Sequence, residues 1–268
     1  MKLALSGRLF ETQAGYTLDL EAFLKFAREC GYDGVEIRYP QLPLETSSAK
    51  LEDTAALLKT LGLEWSFGAV EGIVGDAAFE RAVRMLDVHR RCGCRFTRFT
   101  VSKPDEIVWA QRFADEAGRR GLRLITQLHN GTLTDNVPHT LDTLHRIGRP
   151  NVGLALEPNH LRFDGNEQYA EAIQALRDCI FCVSIQNFKP ARPADAKATL
   201  VHVNDRAYVR ALPDDPEGLD FPRIFASLRE VGFDGFATVM ADVAPGLDRR
   251  EVARRCLTAC RQFMQTAQ

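Results

Sequence analysis

Leu18–Cys30, then Gly31-Tyr32-Asp33-Gly34, then Val35-Glu36-Ile37-Arg38 is the stretch from which the fold is read. The first part has the spacing of an amphipathic helix. The glycine turn suits a helix C-cap, where positive φ is needed. The last part is a short β-branched run, as in a buried strand. The same order returns near the other end: helix Phe221–Val231, turn Gly232-Phe233-Asp234-Gly235, strand Phe236–Met240.

Between these two copies the unit repeats. Helix Lys50–Leu61 leads to strand Leu63–Phe67, and Phe79–Arg91 to Arg95–Val101. Helix Glu106–Arg119 leads to Leu122–Leu128, and Val137–Ile147 to Asn151–Leu156. Helix Glu167–Leu176 leads to Cys179–Ile185, and Arg249–Met264 closes the chain. With Lys2–Ser6 in front, the count is eight strands, each followed by a helix. Alternation of this kind implies parallel pairing and right-handed crossovers. A single (β/α)8 TIM barrel, α/β in class and spanning residues 1–268 as one domain, accommodates eight units in a chain of this length. A dinucleotide-binding sheet needs G-x-G-x-x-G after the first strand, and Ser6-Gly7-Arg8-Leu9-Phe10 lacks it.

Composition narrows the function. With 34 Lys+Arg against 36 Asp+Glu, the net charge is -2. That leaves no broad basic field for nucleic acid. No apolar run approaches the ~20 residues of a membrane span, and the start, Met1–Ser6, reads as a strand rather than a signal peptide. The expectation is a cytoplasmic protein with neither a nucleic-acid nor a membrane partner. The 7 cysteines read as reduced thiols. Cys179 and Cys182 form a CxxC, but on a strand they point to opposite faces and make no ligand pair.

One segment breaks the rhythm. Gln186–Asp220 has no helical period, and Thr199–Leu212 alternates about Asn204-Asp205. It reads as a β-hairpin inserted after strand seven, within about 189–219, on the face where barrel active sites lie.

Polar residues at strand ends are therefore the functional candidates. They are Glu36 and Arg38, Glu71, Arg98, Gln127, His129 and Asn130, Glu157 and His160, Ser184, Gln186, Asn187 and Lys189, and Asp242. A structural role competes at several of them. Glu36 and Arg38 share a strand face and would pair with neighbouring barrel charges, and Arg98 reads as a rim residue. His89, His139 and His145 lie on helices and read as surface or partly buried, and His202 as part of the hairpin. Glu157 and His160, three apart with Pro158 ending the strand, bring an acid and an imidazole into one pocket. These two are the expected catalytic residues. Arg38, Glu71, Gln127, His129, Ser184, Asn187 and Lys189 are the expected substrate-binding residues.

A resemblance accompanies these residues. Pro150–Leu161, Leu219–Gly235, Glu29–Glu36 and Gln127–Thr132 resemble motifs of the sugar phosphate isomerase/epimerase superfamily, the xylose isomerase-like barrels. The resemblance implies a divalent metal held by a Glu, an Asp, a His and a Glu after strands five to eight, with the two Glu residues shuttling a proton. Those positions fall here on Gln127, Glu157, Ser184 and Met240. An amide, one carboxylate, a hydroxyl and a thioether make a poor site for Mg²⁺ or Mn²⁺. Gln127 and Met240 offer no base.

The expectation is thus an isomerase- or epimerase-like enzyme on a small carbohydrate, with no cofactor. Mn, Mg or Zn would enter only at a weak or relocated site built from His129, Glu157, His160 and Asp242. The alternative is a non-catalytic sugar-binding or regulatory homologue. A homodimer is expected by family analogy alone. An apurinic-site endonuclease of the same superfamily would need metal clusters and a basic face that the sequence lacks.

Overall fold

Strand β1 (Lys2–Ser6) is the stave from which the barrel closes in both directions. It pairs in parallel with the last stave on one side, Leu3 opposite Ala237, and with the second on the other, Ala4 opposite Gly34. The computed structural model describes residues 1–195, 198–242 and 247–266. After β1 come β2 (Gly34–Glu36), the third stave, β4 (Phe96–Arg98), β5 (Arg123–Gln127), β6 (Val152–Leu156), β7 (Ile180–Ile185) and β8 (Phe236–Val239). Between and after them run helices α1 (Leu20–Cys30), α2 (Ser48–Leu61), α3 (Asp76–Arg91), α4 (Ile107–Arg119), α5 (Val137–Ile147), α6 (Pro158–Phe163), α7 (Tyr169–Leu176), α8 (Phe221–Glu230) and α9 (Arg249–Thr266).

The turn that decided the fold shows how a stave is set. Asp19 caps α1 by accepting the Ala22 N–H, and Gly31 ends it at φ 97°. Asp33 then accepts the Leu3 N–H at 2.9 Å, which fixes β2 beside β1. At the far end Gly232 adopts φ 73°, and the Gly235 carbonyl accepts the Lys2 N–H at 2.9 Å.

The expected eight staves are nine hydrogen-bonded segments, because the third, β3, is in two pieces. Glu64–Trp65 pairs with β2, and Gly68–Ala69 pairs with β4. The cause of the break is local. His89 of α3 lies under the strand, and a Cβ at Gly68 would sit 2.4 Å from its Nε2. The Trp65 indole N–H donates to the Phe67 carbonyl at 2.7 Å across the break. Arg95 N–H donates to Trp65 O at 3.0 Å, which carries the closure past it.

His89 corrects the sequence reading. It is 1% exposed rather than at the surface, edge-on to Trp65 at 5.1 Å, with Nδ1 at 2.7 Å from Thr97 Oγ1. Burial pushes its pKa down to about 3.

Phe67, Phe96, Ile125, Ala155, Cys182 and Met240 fill the barrel interior. Two residues further along the same strand faces come Arg98, Gln127, Glu157 and Ser184. The polar floor of the barrel mouth is thereby set on an apolar plug. Cys182 belongs to that plug, and the Cys179 thiol contacts Leu176 O at 3.0 Å, so the CxxC is not a joint site.

After β7 the chain forms a three-stranded antiparallel sheet: Asn187–Pro190, Val201–Val203 and Arg206–Ala211. Asn204 at φ 49° and Asp205 at φ 60° make the tight turn between the last two, both in the left-handed region that Asn and Asp tolerate. The strand Asn187–Pro190 was not foreseen; it continues directly from β7 and pairs with Arg206–Ala211. Phe163, Phe188 and Tyr208 form a small core between this sheet and α6.

His89 predicts acid sensitivity. Its folded pKa is depressed, so its contribution is complete above the unfolded value near 6.5 and is lost as pH falls toward 3. Urea unfolding between pH 7 and pH 4 is expected to show a slope near 1.4 kcal/mol per pH unit from this group. In His89→Gln that component disappears, and an unchanged slope would refute the assignment.

Candidate active site

Glu157 ends β6, and Pro158 stands at the first turn of α6, where a missing N–H costs nothing. The helix brings His160 back over Glu157, so the pair noted in the sequence forms through one helical turn. Glu157 is 1% exposed. Its Oε1 accepts the Gln127 side-chain amide, and its Oε2 accepts Gln186 Nε2 at 3.4 Å and faces His160 Nε2 at 3.3 Å. Burial pushes this carboxyl up. The bond from His160 and the charges of His160, Arg98 and His129 outweigh it, holding the pKa below the ordinary value. Glu157 is therefore an ionised carboxylate in the floor of the barrel mouth.

Nε2 of His160 faces Glu157, and Nδ1 faces Asn130. When neutral, Nδ1 accepts the Asn130 backbone N–H at 3.2 Å. When protonated, Nδ1–H donates to Asn130 Oδ1. Asn130 thus offers Nδ1 both a donor and an acceptor. His129 lies over it at 4.2 Å between centroids. Partial desolvation and the neighbouring His160 push the His129 pKa down.

Arg98, read from sequence as a rim residue, lies between Glu157 and Glu36, both of which act on its charge. No hydrogen bond or ion pair from the described residues holds its guanidinium, which lies 6.0 Å from the Phe67 ring centroid. Burial lowers its pKa. An arginine desolvated but unbonded has donors left for a ligand oxygen. Ser184, fully buried, has an Oγ with no partner. Glu36 accepts the Ser6 hydroxyl and pairs with Arg38 at 3.4 Å. Arg38 also reaches Glu11 at 3.5 Å.

Three expected substrate-binding residues lie apart from this group. Glu71 is paired with Arg81 at 3.0 Å and lines a separate cleft of about 190 Å³ with Tyr39 and Met85. Lys189 is paired with Asp215 at 2.9 Å within the insertion. Asn187 is a latch: its Nδ2 donates to Leu212 O at 2.6 Å, and its Oδ1 accepts the Leu219 N–H at 2.8 Å. All three sit beyond the strand's inward face, and position at a strand end did not separate them from Gln127 or Ser184.

The relocated ligand set is not assembled. Asp242 is held by Arg8 at 3.1 Å and by Arg210, not by the histidines. No group of three or more His, Cys, Asp and Glu able to hold a metal occurs among the described residues. At the four family positions, Met240 is packed in the apolar plug, and Glu157 is already bonded on both oxygens. This donor set does not fit a hard divalent cation.

The family model described as xylose isomerase-like TIM barrel matches residues 24–260. The chain belongs to that family. The fold agrees with solved structures at low sequence identity. The IolI protein with a bound zinc atom has a TM-score of 0.77 at 18% identity, over 100% of this chain and 99% of that one. The probable 3-DHS dehydratase AsbF of Bacillus anthracis has a TM-score of 0.74 at 18% identity, over 96% and 98%. A D-psicose 3-epimerase has a TM-score of 0.76 at 15% identity, over 98% and 99%. No curated protein matches. No helix among the described residues of this xylose isomerase-like barrel is long and apolar enough to cross a membrane.

Asn187→Ala tests the latch. It leaves the Leu212 carbonyl and the Leu219 N–H without partners, at about 1–3 kcal/mol each if they stay buried. The expected result is lower stability and faster proteolysis within residues 187–219, with substrate KM unchanged in the fraction that stays folded. A raised KM without loss of stability would return Asn187 to the binding site.

Proposed function

We propose that this barrel is a sugar-modifying enzyme, isomerase- or epimerase-like, acting on a small carbohydrate without the divalent metal usual for its relatives. The observation that supports it is the buried Glu157–His160 pair, with Nδ1 of His160 supplied with a partner in each protonation state. His160 releases its Nδ1 bond to Asn130 and takes the proton from the carbon next to a carbonyl, whose C–H electron pair passes into an enediolate; it returns the proton to the neighbouring carbon as the hydroxyl proton passes between the two oxygens, so that the carbonyl moves by one position. Glu157 orients the ring and stabilises the imidazolium. Arg98 stabilises the negative charge that develops on the carbonyl oxygen. Gln127, His129 and Ser184 hold hydroxyl groups. Structural neighbours named as epimerases and as a dehydratase supply the reaction class by analogy only.

A second reading, a sugar binder without catalysis, is favoured by one observation. Gln127 and Met240 replace both carboxylates that shuttle protons in the family pattern. Exchange of solvent deuterium into keto-sugars separates the two. The enzyme is expected to catalyse exchange, and Glu157→Gln and His160→Ala each to reduce it by about 10²–10⁴. Binding without exchange in the unmodified protein would select the second reading. Because Glu157 is held below the ordinary carboxylate pKa, its carboxylate is lost only below about pH 4.5. A carboxylate limb lying above that value in the rate profile would contradict the assigned role.

Metal removal gives an independent check. Dialysis against a chelator is expected to leave exchange unchanged, with less than about 0.1 equivalent of Mn, Mg or Zn per chain by elemental analysis. Activity abolished by the chelator and restored by one of these ions would overturn the metal-free mechanism.

A further inference from the structure

A cleft of about 580 Å³, lined by neither Glu157 nor His160, opens between the segment after β1 and the inserted segment. Four arginines line it, Arg8, Arg38, Arg210 and Arg249, against two carboxylates, Glu11 and Asp242. With Glu36, which also pairs with Arg38, three carboxylates face four arginines, an excess of one positive charge. Arg8 and Arg210 share the single carboxylate of Asp242, Arg8 with both Nε at 3.1 Å and Nη2 at 3.3 Å. Arg249 donates only to a backbone carbonyl, Leu9 O at 3.0 Å, among the described residues. Arg38 reaches Glu11 and Glu36 only at 3.5 and 3.4 Å, and its buried Nε has no acceptor. Desolvation, and the charge of Arg8 beside it, lower the pKa of Arg210 despite Asp242.

We propose that this cleft is an oxyanion seat, in which Asp242 occupies the place of an anionic group carried by the substrate. The inference rests on the reading of the barrel as a sugar-modifying enzyme and narrows its substrate to sugars bearing a carboxylate or a phosphate. Paired guanidinium groups match the geometry of either oxyanion. The seat is wired to the acid–base pair. Arg210 donates to Gln186 Oε1 at 3.2 Å, and Gln186 donates to Glu157 at 3.4 Å. A charged group resting on Arg38, Arg210 and Arg249 is thereby linked to Glu157 through Gln186. Arg210 comes from the inserted sheet, so the insertion supplies one wall of the seat.

Titration calorimetry with inorganic phosphate, D-gluconate and neutral D-glucose tests this without turnover. The expected result is that phosphate, gluconate or both bind at least about tenfold tighter than glucose, weakening as NaCl rises. Phosphate alone points to sugar phosphates, gluconate alone to sugar acids. Arg249→Ala is expected to weaken anion binding at least about tenfold, with Arg38→Gln as the second variant should the first fail to fold. Asp242→Asn is expected to tighten it, because the internal competitor is gone. Glucose binding as well as the anions, or no response to either arginine change, would overturn the seat, as would weaker binding in Asp242→Asn. Anion binding is expected to survive Glu157→Gln. Loss of exchange in the unmodified protein with anion binding intact would refute the proposed reaction and leave the seat standing.

Discussion

A carboxylate at 1% exposure governs the mouth of this barrel. Burying an ionised Glu157 is costly unless its charge is paired and its lone pairs are met. Two amides, one imidazole and a nearby guanidinium meet that requirement, and each comes from a different part of the wall. Gln127 arrives on β5, His160 on α6, Gln186 just after β7 and Arg98 on β4. The floor beneath them must be rigid and dry for this to hold. The plug of Phe67, Phe96, Ile125, Ala155, Cys182 and Met240 provides it.

That arrangement also accounts for the amide at Gln127. The family pattern places three carboxylates and a histidine at these four positions, a set whose negative charge calls for a divalent cation. Here one carboxylate remains, and a guanidinium and imidazole suffice to balance it. A carboxylate at 127 would face Glu157 at hydrogen-bond distance with no donor between them, and like charges at that distance are repulsive. The amide supplies a donor instead. Amide at 127 and arginine at 98 are therefore one solution to one electrostatic problem, not two separate losses.

The barrel was legible because its signal is periodic. Helix, glycine turn and strand recur, and the Asp33 and Gly235 contacts to β1 show why the turns matter. The break in β3 was not legible, since it depends on His89, near the far end of the helix that follows, reaching back under Gly68. The pairing of Glu157 with His160 was legible from a spacing of three and a proline. What the sequence pattern left open was direction. Asn187 and Lys189 lie close in sequence to Ser184, yet a new strand starts at Asn187 and carries both into the inserted sheet. Glu71 follows a strand end but turns to Arg81. Arg210 and Arg8 reach the mouth from an insertion and from the short 3-10 turn Gly7–Phe10, where no periodicity marks them.

The insertion gains its meaning from where it is tied. Asn187 anchors its base, and Asn204 fastens its turn to Phe163 O at 3.1 Å. Phe188 and Tyr208 pack on Phe163, at the end of the same short helix that carries His160. Arg210 stacks over Phe188 at 4.9 Å and bonds to Gln186. The sheet therefore contacts the Glu157–His160 pair twice, through α6 and through Gln186. A displacement of the sheet would move His160 and loosen Glu157 together, because buried hydrogen-bonded groups have no water to fall back on. An inserted sheet tied in this way acts as a wall of the site rather than a loop hung over it, and it fixes a guanidinium and an imidazole relative to one carboxylate.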